Sequence, residues 1–147
     1  MACRCIPLLA GLIGLLALVG CDEVRARRGL QEGNKAYYAG KYERAIEAYD
    51  RALRLRADLA LGWYNLGLSH LALFAPGAKG PDNEAHAQGA IAAFRSYLTR
   101  VPTDTKARDY LLSTYIDSGH YEGALAYFEE QLAKSPGDIQ AVAQLAQ

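Results

Sequence analysis

Apolar positions follow two regimes along this chain. From Ile6 to Gly20 they form an uncharged run of 15 residues. Beyond Ala26 they recur every three or four positions with charged residues between them, the spacing of amphipathic helices. Thr105–Asp138 shows the second regime best. Leu111, Leu112, Tyr115 and Ile116 form one stripe, and Ala124, Leu125, Phe128 and Leu132 form another. A turn at Asp117–His120 separates them, and Pro136 follows where a helix can end but not continue. The segment reads as helix, tight turn, helix.

The pattern repeats. Ala124-x3-Phe128 with Pro136 is echoed 34 residues earlier by Ala90-x3-Phe94 with Pro102. A further copy stands at Ala45-x3-Tyr49, with Ala57 at the proline position. Gly33 is followed 34 residues later by Gly67, inside Trp63-x2-Leu66-Gly67. Repeat length, the Trp-Leu-Gly element, the Ala-x3-aromatic element and the closing proline agree in phase. Over residues 26–147 the chain resembles the tetratricopeptide repeat family.

That resemblance implies an all-α solenoid of three helix-turn-helix repeats, at about 26–59, 60–104 and 105–138. A last helix over 139–147, with Val142 and Leu145 on its apolar side, would cap the final repeat, whose apolar face needs cover. Gly33 stands where the family has a small residue that lets paired helices approach. Gly40 suits the left-handed conformation at a helix end. Tyr42, Ala45, Ile46, Tyr49, Ala52 and Leu53 read as the core face of the second helix.

Repeat two departs from the period. Ala45 and Ala90 are 45 residues apart, which is one repeat plus an insertion of 11. The extra residues fall in 74–89, where Pro76, Gly77, Gly80 and Pro81 mark irregular chain. Asp82 or Asn83 is the expected N-cap of the following helix, with Glu84 in its first turn. Two readings of the insertion stay open. It is a binding element, as insertions on one face of repeat proteins often are, or a surface loop tolerated at small entropic cost.

The apolar run at the start is too short to span a bilayer comfortably, which takes about 20 residues, and suits a signal-peptide core over 1–20. It ends in Leu18-Val19-Gly20-Cys21, which resembles the lipobox of bacterial lipoproteins. In that family the leader is cut before the cysteine, which is then acylated on sulfur and usually on its amine. Several acyl chains give durable membrane attachment, where one gives marginal binding. An ordinary signal peptide is the alternative. Cys3 and Cys5 lie in the leader, so Cys21 would be the lone thiol of the mature chain, and lipidation accounts for it. Asp22 resembles the residue that retains enterobacterial lipoproteins in the inner membrane. Arg25, Arg27 and Arg28 either approach acidic headgroups or lie on the exposed face of the first helix. In 21–25 no Ser/Gly/Pro tether separates the cysteine from the repeats.

Charge and chemistry narrow the function. The chain has 16 basic and 16 acidic residues; without the leader and its Arg4 the balance is 15 against 16. That gives no electrostatic footprint for nucleic acid. His70, His86 and His120 show no metal-ligand spacing, and neither a nucleophile elbow nor a phosphate loop occurs. Glu129, Glu130 and Asp58 read as solvated surface or turn charges. The expectation is a protein that is no enzyme, with no cofactor, metal or small-molecule substrate.

Binding remains. In the family, the first helices of successive repeats line a concave groove that takes an extended peptide or a partner helix. Carried over by register, the groove positions are Leu30, Asn34 and Tyr37, then Tyr64, Asn65, Leu68 and Leu71, then Lys106, Asp109, Ser113 and Ile116. One subfamily clamps a C-terminal carboxylate there. Asn34, Asn65 and Lys106 match its pattern, whereas Leu30 and Tyr110 replace a lysine and an arginine. The resemblance implies a lipid-anchored scaffold in bacterial envelope assembly, binding a protein partner. The alternatives are a pilotin-like assembly factor for a pilus or secretion pore, and an accessory subunit of a peptidoglycan synthase or hydrolase.

Overall fold

The computed structural model describes the backbone of residues 6–134 and the side chains of residues 21–134. Six helices follow in order: α1 (Ile6–Tyr38), α2 (Tyr42–Leu55), α3 (Ala60–Leu73), α4 (Pro81–Leu98), α5 (Thr105–Asp117) and α6 (Tyr121–Lys134). Each packs against its neighbours in sequence, so the pairs α1–α2, α3–α4 and α5–α6 stack as a solenoid. Pro136 and the expected cap at 139–147 lie outside the described residues. Among the described residues, no helix is long and apolar enough to cross a membrane.

Turn chemistry sets the first and third pairs. Gly40 (φ 70°) and Gly119 (φ 78°) adopt the left-handed conformation. Each lets the next residue close a six-residue loop: the Lys41 amide donates to the Ala36 carbonyl at 2.9 Å, and His120 donates to Tyr115 at 2.8 Å. This double closure satisfies carbonyls that a helix end leaves open. Asp104 starts α5 by accepting from the Ala107 amide at 3.0 Å. That bond, with a second from the Tyr97 hydroxyl at 2.7 Å, holds the Asp104 carboxyl below its ordinary range. In the pair, burial and Asp104 push the Tyr97 phenol up to about 12.

Small residues set the distance between paired helices. Ala26, Gly29 and Gly33 of α1 meet Ala45, Ala48, Tyr49 and Ala52 of α2 in a buried seam. A Cβ at Gly33 would lie 2.6 Å from Cδ1 of the Tyr49 ring, and one at Gly67 would lie 2.8 Å from Cζ of Phe94. Both glycines are therefore required by close approach, as their phase in the sequence predicts. The third pair differs. Gly33 stands twelve residues before Ala45, and twelve before Ala124 is Leu112. A leucine cannot admit the facing helix in the same way, and α5–α6 is the most loosely packed of the three pairs.

Two core clusters result. Tyr49, Leu53, Leu66 and Ala93 bind repeat one to repeat two, and Phe94, Leu98, Leu111, Tyr115 and Phe128 bind two to three. Two stripe positions, Ile116 and Leu125, are exposed. Leu125 is 53% exposed, and Tyr127, two residues on, takes the core position instead. The Arg95 guanidinium lies 5.5 Å from the Tyr127 ring centroid and pairs with Glu130, so Glu130 is an inter-helix partner as well as a surface charge.

The eleven inserted residues are mostly helix. Ala124 is the fourth residue of α6 but Ala90 is the tenth of α4, so six extend the helix at its N-terminus. Four lengthen the linker from three residues to seven, and one lengthens α3 relative to α5. The expected cap is corrected too. Gly80 is the N-cap and Pro81 the first helical residue, where its missing N–H costs nothing. Asn83 is freed for another task. Its Oδ1 accepts from the Ala75 amide at 2.7 Å, and its Nδ2 donates to the carbonyls of Ala75 (3.0 Å) and Ala78 (2.9 Å).

Candidate partner-binding groove

The first helices of the three repeats lie side by side, and their contacts build one continuous surface. Asn34 is its fixed point between α1 and α3. Its Oδ1 accepts from the Tyr49 hydroxyl at 2.7 Å and from Asn65 Nδ2 at 3.0 Å. One carbonyl oxygen thus ties α1 to its partner α2 and to the next repeat. Burial raises the Tyr49 phenol to about 12, so it remains a donor over the ordinary pH range.

Around that point Asn34, Tyr37, Tyr38, Tyr49, Asn65 and Leu68 line a concavity. Four of these are groove positions expected from register. Tyr38 and Tyr49 are additions. Tyr38 is 87% exposed and meets the Tyr37 ring edge-on at 5.8 Å, and Tyr42 meets the same ring at 5.4 Å. Tyr38 is the last residue of α1, and its ring lies at the end of the groove.

The surface continues through ring contacts. Tyr64 lies 6.4 Å from Tyr110 between ring centroids, and Lys106 Nζ stands 5.7 Å from the Tyr110 ring. The tyrosine in the arginine position of the carboxylate-clamp pattern therefore holds the matching lysine by a cation–π contact. Asp109, Ser113 and Ile116 are exposed on α5, and Leu71 is half-buried on α3. Leu30 is placed differently. It packs beneath Gly62 in the junction between repeats one and two, so its part is inter-repeat packing.

Outside the groove, the extension of α4 creates a polar cluster that sequence spacing conceals. His70 Nδ1 and His86 Nδ1 are 3.2 Å apart, although 16 residues separate them in the chain. The His70 ring lies against Gly89, where a Cβ would come within 2.6 Å of Nδ1. Burial, with His86 beside it, lowers His70 to about 4. Glu84 Oε1 reaches His120 Nε2 at 3.0 Å, joining the extension to the α5–α6 turn, and Ser118 Oγ holds His120 Nδ1 at 2.7 Å. Among the described residues no group of three or more metal-binding side chains converges.

Comparison with known proteins identifies the repeats. A family model described as TPR repeat matches residues 33–73, and one described as Tetratricopeptide repeat matches residues 111–140. The first spans the Gly33 seam, α2 and α3; the second spans the Leu111 stripe and α6. No curated protein matches the chain.

Proposed function

From an all-α tetratricopeptide solenoid as the premise, we propose that this protein is a membrane-anchored scaffold for protein–protein interaction in bacterial envelope assembly. Its groove takes an extended peptide or a helix of a partner protein. The observation that carries this reading is the Asn34 junction. It fixes the groove floor across two repeats, with half-buried Tyr37 and Leu68 and exposed Tyr38 lining the concavity beside it. A rigid amphipathic surface of this kind holds a peptide at low entropic cost.

The anchor is Cys21, acylated after removal of the leader. Support comes from the lipobox-like Leu18-Val19-Gly20-Cys21 and from the exposure of the Cys21 side chain. Asp22 favours retention at the inner membrane, facing the periplasm. Membrane fractionation tests that placement, and recovery in the outer membrane would support the pilotin-like alternative instead.

Site-specific photo-crosslinking in intact cells tests the groove, with one probe at Leu68 and one at Lys79 in the inserted linker. The expected result is a discrete protein adduct at Leu68 and none at Lys79. An adduct at Lys79 alone would move the binding function to the insertion.

A further inference from the structure

The two edges of the solenoid differ in what they expose. One edge carries the start of the first repeat at Cys21, the α2–α3 turn and the α4–α5 turn. Its unity is visible in contacts. Glu23, two residues after Cys21, pairs with Arg56 in the α2–α3 turn, and Arg56 also grips Asp58 at 2.6 Å. Trp63 Nε1 donates to the Ala57 carbonyl at 2.8 Å, and Arg100 of the next turn stacks over the Trp63 ring at 5.6 Å. The other edge carries Gly40, the inserted linker and Gly119.

Large aliphatic side chains are exposed on the first edge. Val24 is 59% exposed, Leu55 39% and Leu61 68%, each within two residues of that edge's ion-paired or turn residues Glu23, Arg56 and Leu59. On the second edge the exposed large apolar residues near the turns are Tyr38, Ile116 and Tyr121, only one of them aliphatic. Charge divides the same way. Residues 21–28, 53–61 and 99–106 hold seven basic and four acidic side chains, a balance of +3. Residues 35–44, 71–84 and 117–124 hold four basic and five acidic, a balance of −1. Arg28, Arg54 and Arg100 make no ion pair with any described residue, and Arg100 is held in place by the Trp63 ring and the Ser96 carbonyl.

We propose that the Cys21 edge rests on an anionic bilayer, with Val24, Leu55 and Leu61 entering the headgroup boundary and Arg28, Arg54 and Arg100 meeting lipid phosphates. Aliphatic side chains flanked by arginines are what an interfacial surface requires, apolar burial and headgroup attraction acting together. The orientation rests on the reading that the chain is held to the membrane at Cys21. It goes beyond that reading, because an acyl anchor alone leaves the domain free to tumble. No tether intervenes to absorb such motion: α1 is helical through Cys21, and Ala26 is already buried in the solenoid. Docking on this edge points the inserted linker away from the lipid.

The test places a photoreactive residue at Leu61 or at Tyr38 of the full chain in a Gram-negative host. Adducts and the mass of the Cys21 peptide are read together. Lipid adducts at Leu61, absent at Tyr38 and reduced by R28E combined with R54E, are the expected result. An acylated Cys21 with no lipid adduct at Leu61 would overturn the docking and leave the anchor standing. Lipid adducts at Leu61 with an unmodified Cys21 would keep the docking and remove the anchor. A protein adduct at Leu61 in place of lipid, or equal lipid adducts at both positions, would overturn the docking.

Discussion

Repeats one and three turn their chains identically and yet pack unequally. In both, a left-handed glycine and a six-residue closure send the second helix back along the first. In repeat one the facing residue is Gly33, and α2 comes down onto α1 until Tyr49 is fully buried. In repeat three it is Leu112, and α5 and α6 pack less closely, with Gly123 of α6 against the Tyr115 ring. The turn therefore decides direction, and a single side-chain position decides closeness. Stability should be graded along the solenoid, with repeat one and its junction firm and repeat three soft.

The strongest challenge to this grading is removal of the two aromatic plugs. Phe94 lies under Gly67 and stacks on Tyr110, so F94A should cost about 4 kcal/mol, read as a shift in urea midpoint by circular dichroism. F128A should cost at least about 1 kcal/mol less, since the looser pair can relax around the void. Equal losses would break the contrast between repeats.

The glycine position itself comes next. G33V drives a branched side chain into the Tyr49 ring and should cost about 3 kcal/mol. At the equivalent site L112A should cost only about 1 kcal/mol, because Leu112 is half-buried. Thermal melts of the two variants sharpen the comparison directly.

Acid should act through repeat two. His70 titrates near 4 in the fold against 6.5 for the free side chain, so the unfolded chain binds a proton that the fold refuses. Stability contributed by the neutral ring is complete above pH 6.5 and is lost as pH falls toward 4. After discounting for partial exposure, the loss is about 1–2 kcal/mol. H70Q should flatten the slope of denaturation midpoint against pH across that window; an unchanged slope would assign acid sensitivity elsewhere.

The smallest expected effects bracket the groove. Y49F removes one hydrogen bond to Asn34 and should cost about 1 kcal/mol, while Asn65 keeps its own. L125S, at an exposed position, should change stability by no more than about 0.5 kcal/mol. A larger effect there would mean that Leu125 takes part in packing.

Local signals carried most of the fold. Gly33, Gly67, Ala45, Ala90 and Ala124 announce their roles because close packing admits nothing larger, and Gly40 and Gly119 because few residues adopt their backbone. Leu125 misled because a stripe of period 3.6 is satisfied nearly as well by Tyr127, and only packing against Arg95 decides between them. The His70–His86 pair was illegible: it depends on how far the inserted residues continue α4, which no spacing rule encodes. Asn83 was misread because its usual place before a helix is also a place from which an amide can reach back to a loop. In the groove, Asn34, Asn65 and Leu68 were legible from register, but Tyr38 required knowing where α1 stops.

The grip of Asn83 on Ala75 and Ala78 has an evolutionary consequence. A single amide in the first turn of α4 holds the inserted linker against that helix, so the rest of the loop can change in content as long as Asn83 stays. Such a position is a natural splice site, where descendants of this chain can exchange loop sequences while the repeat stack stays in frame.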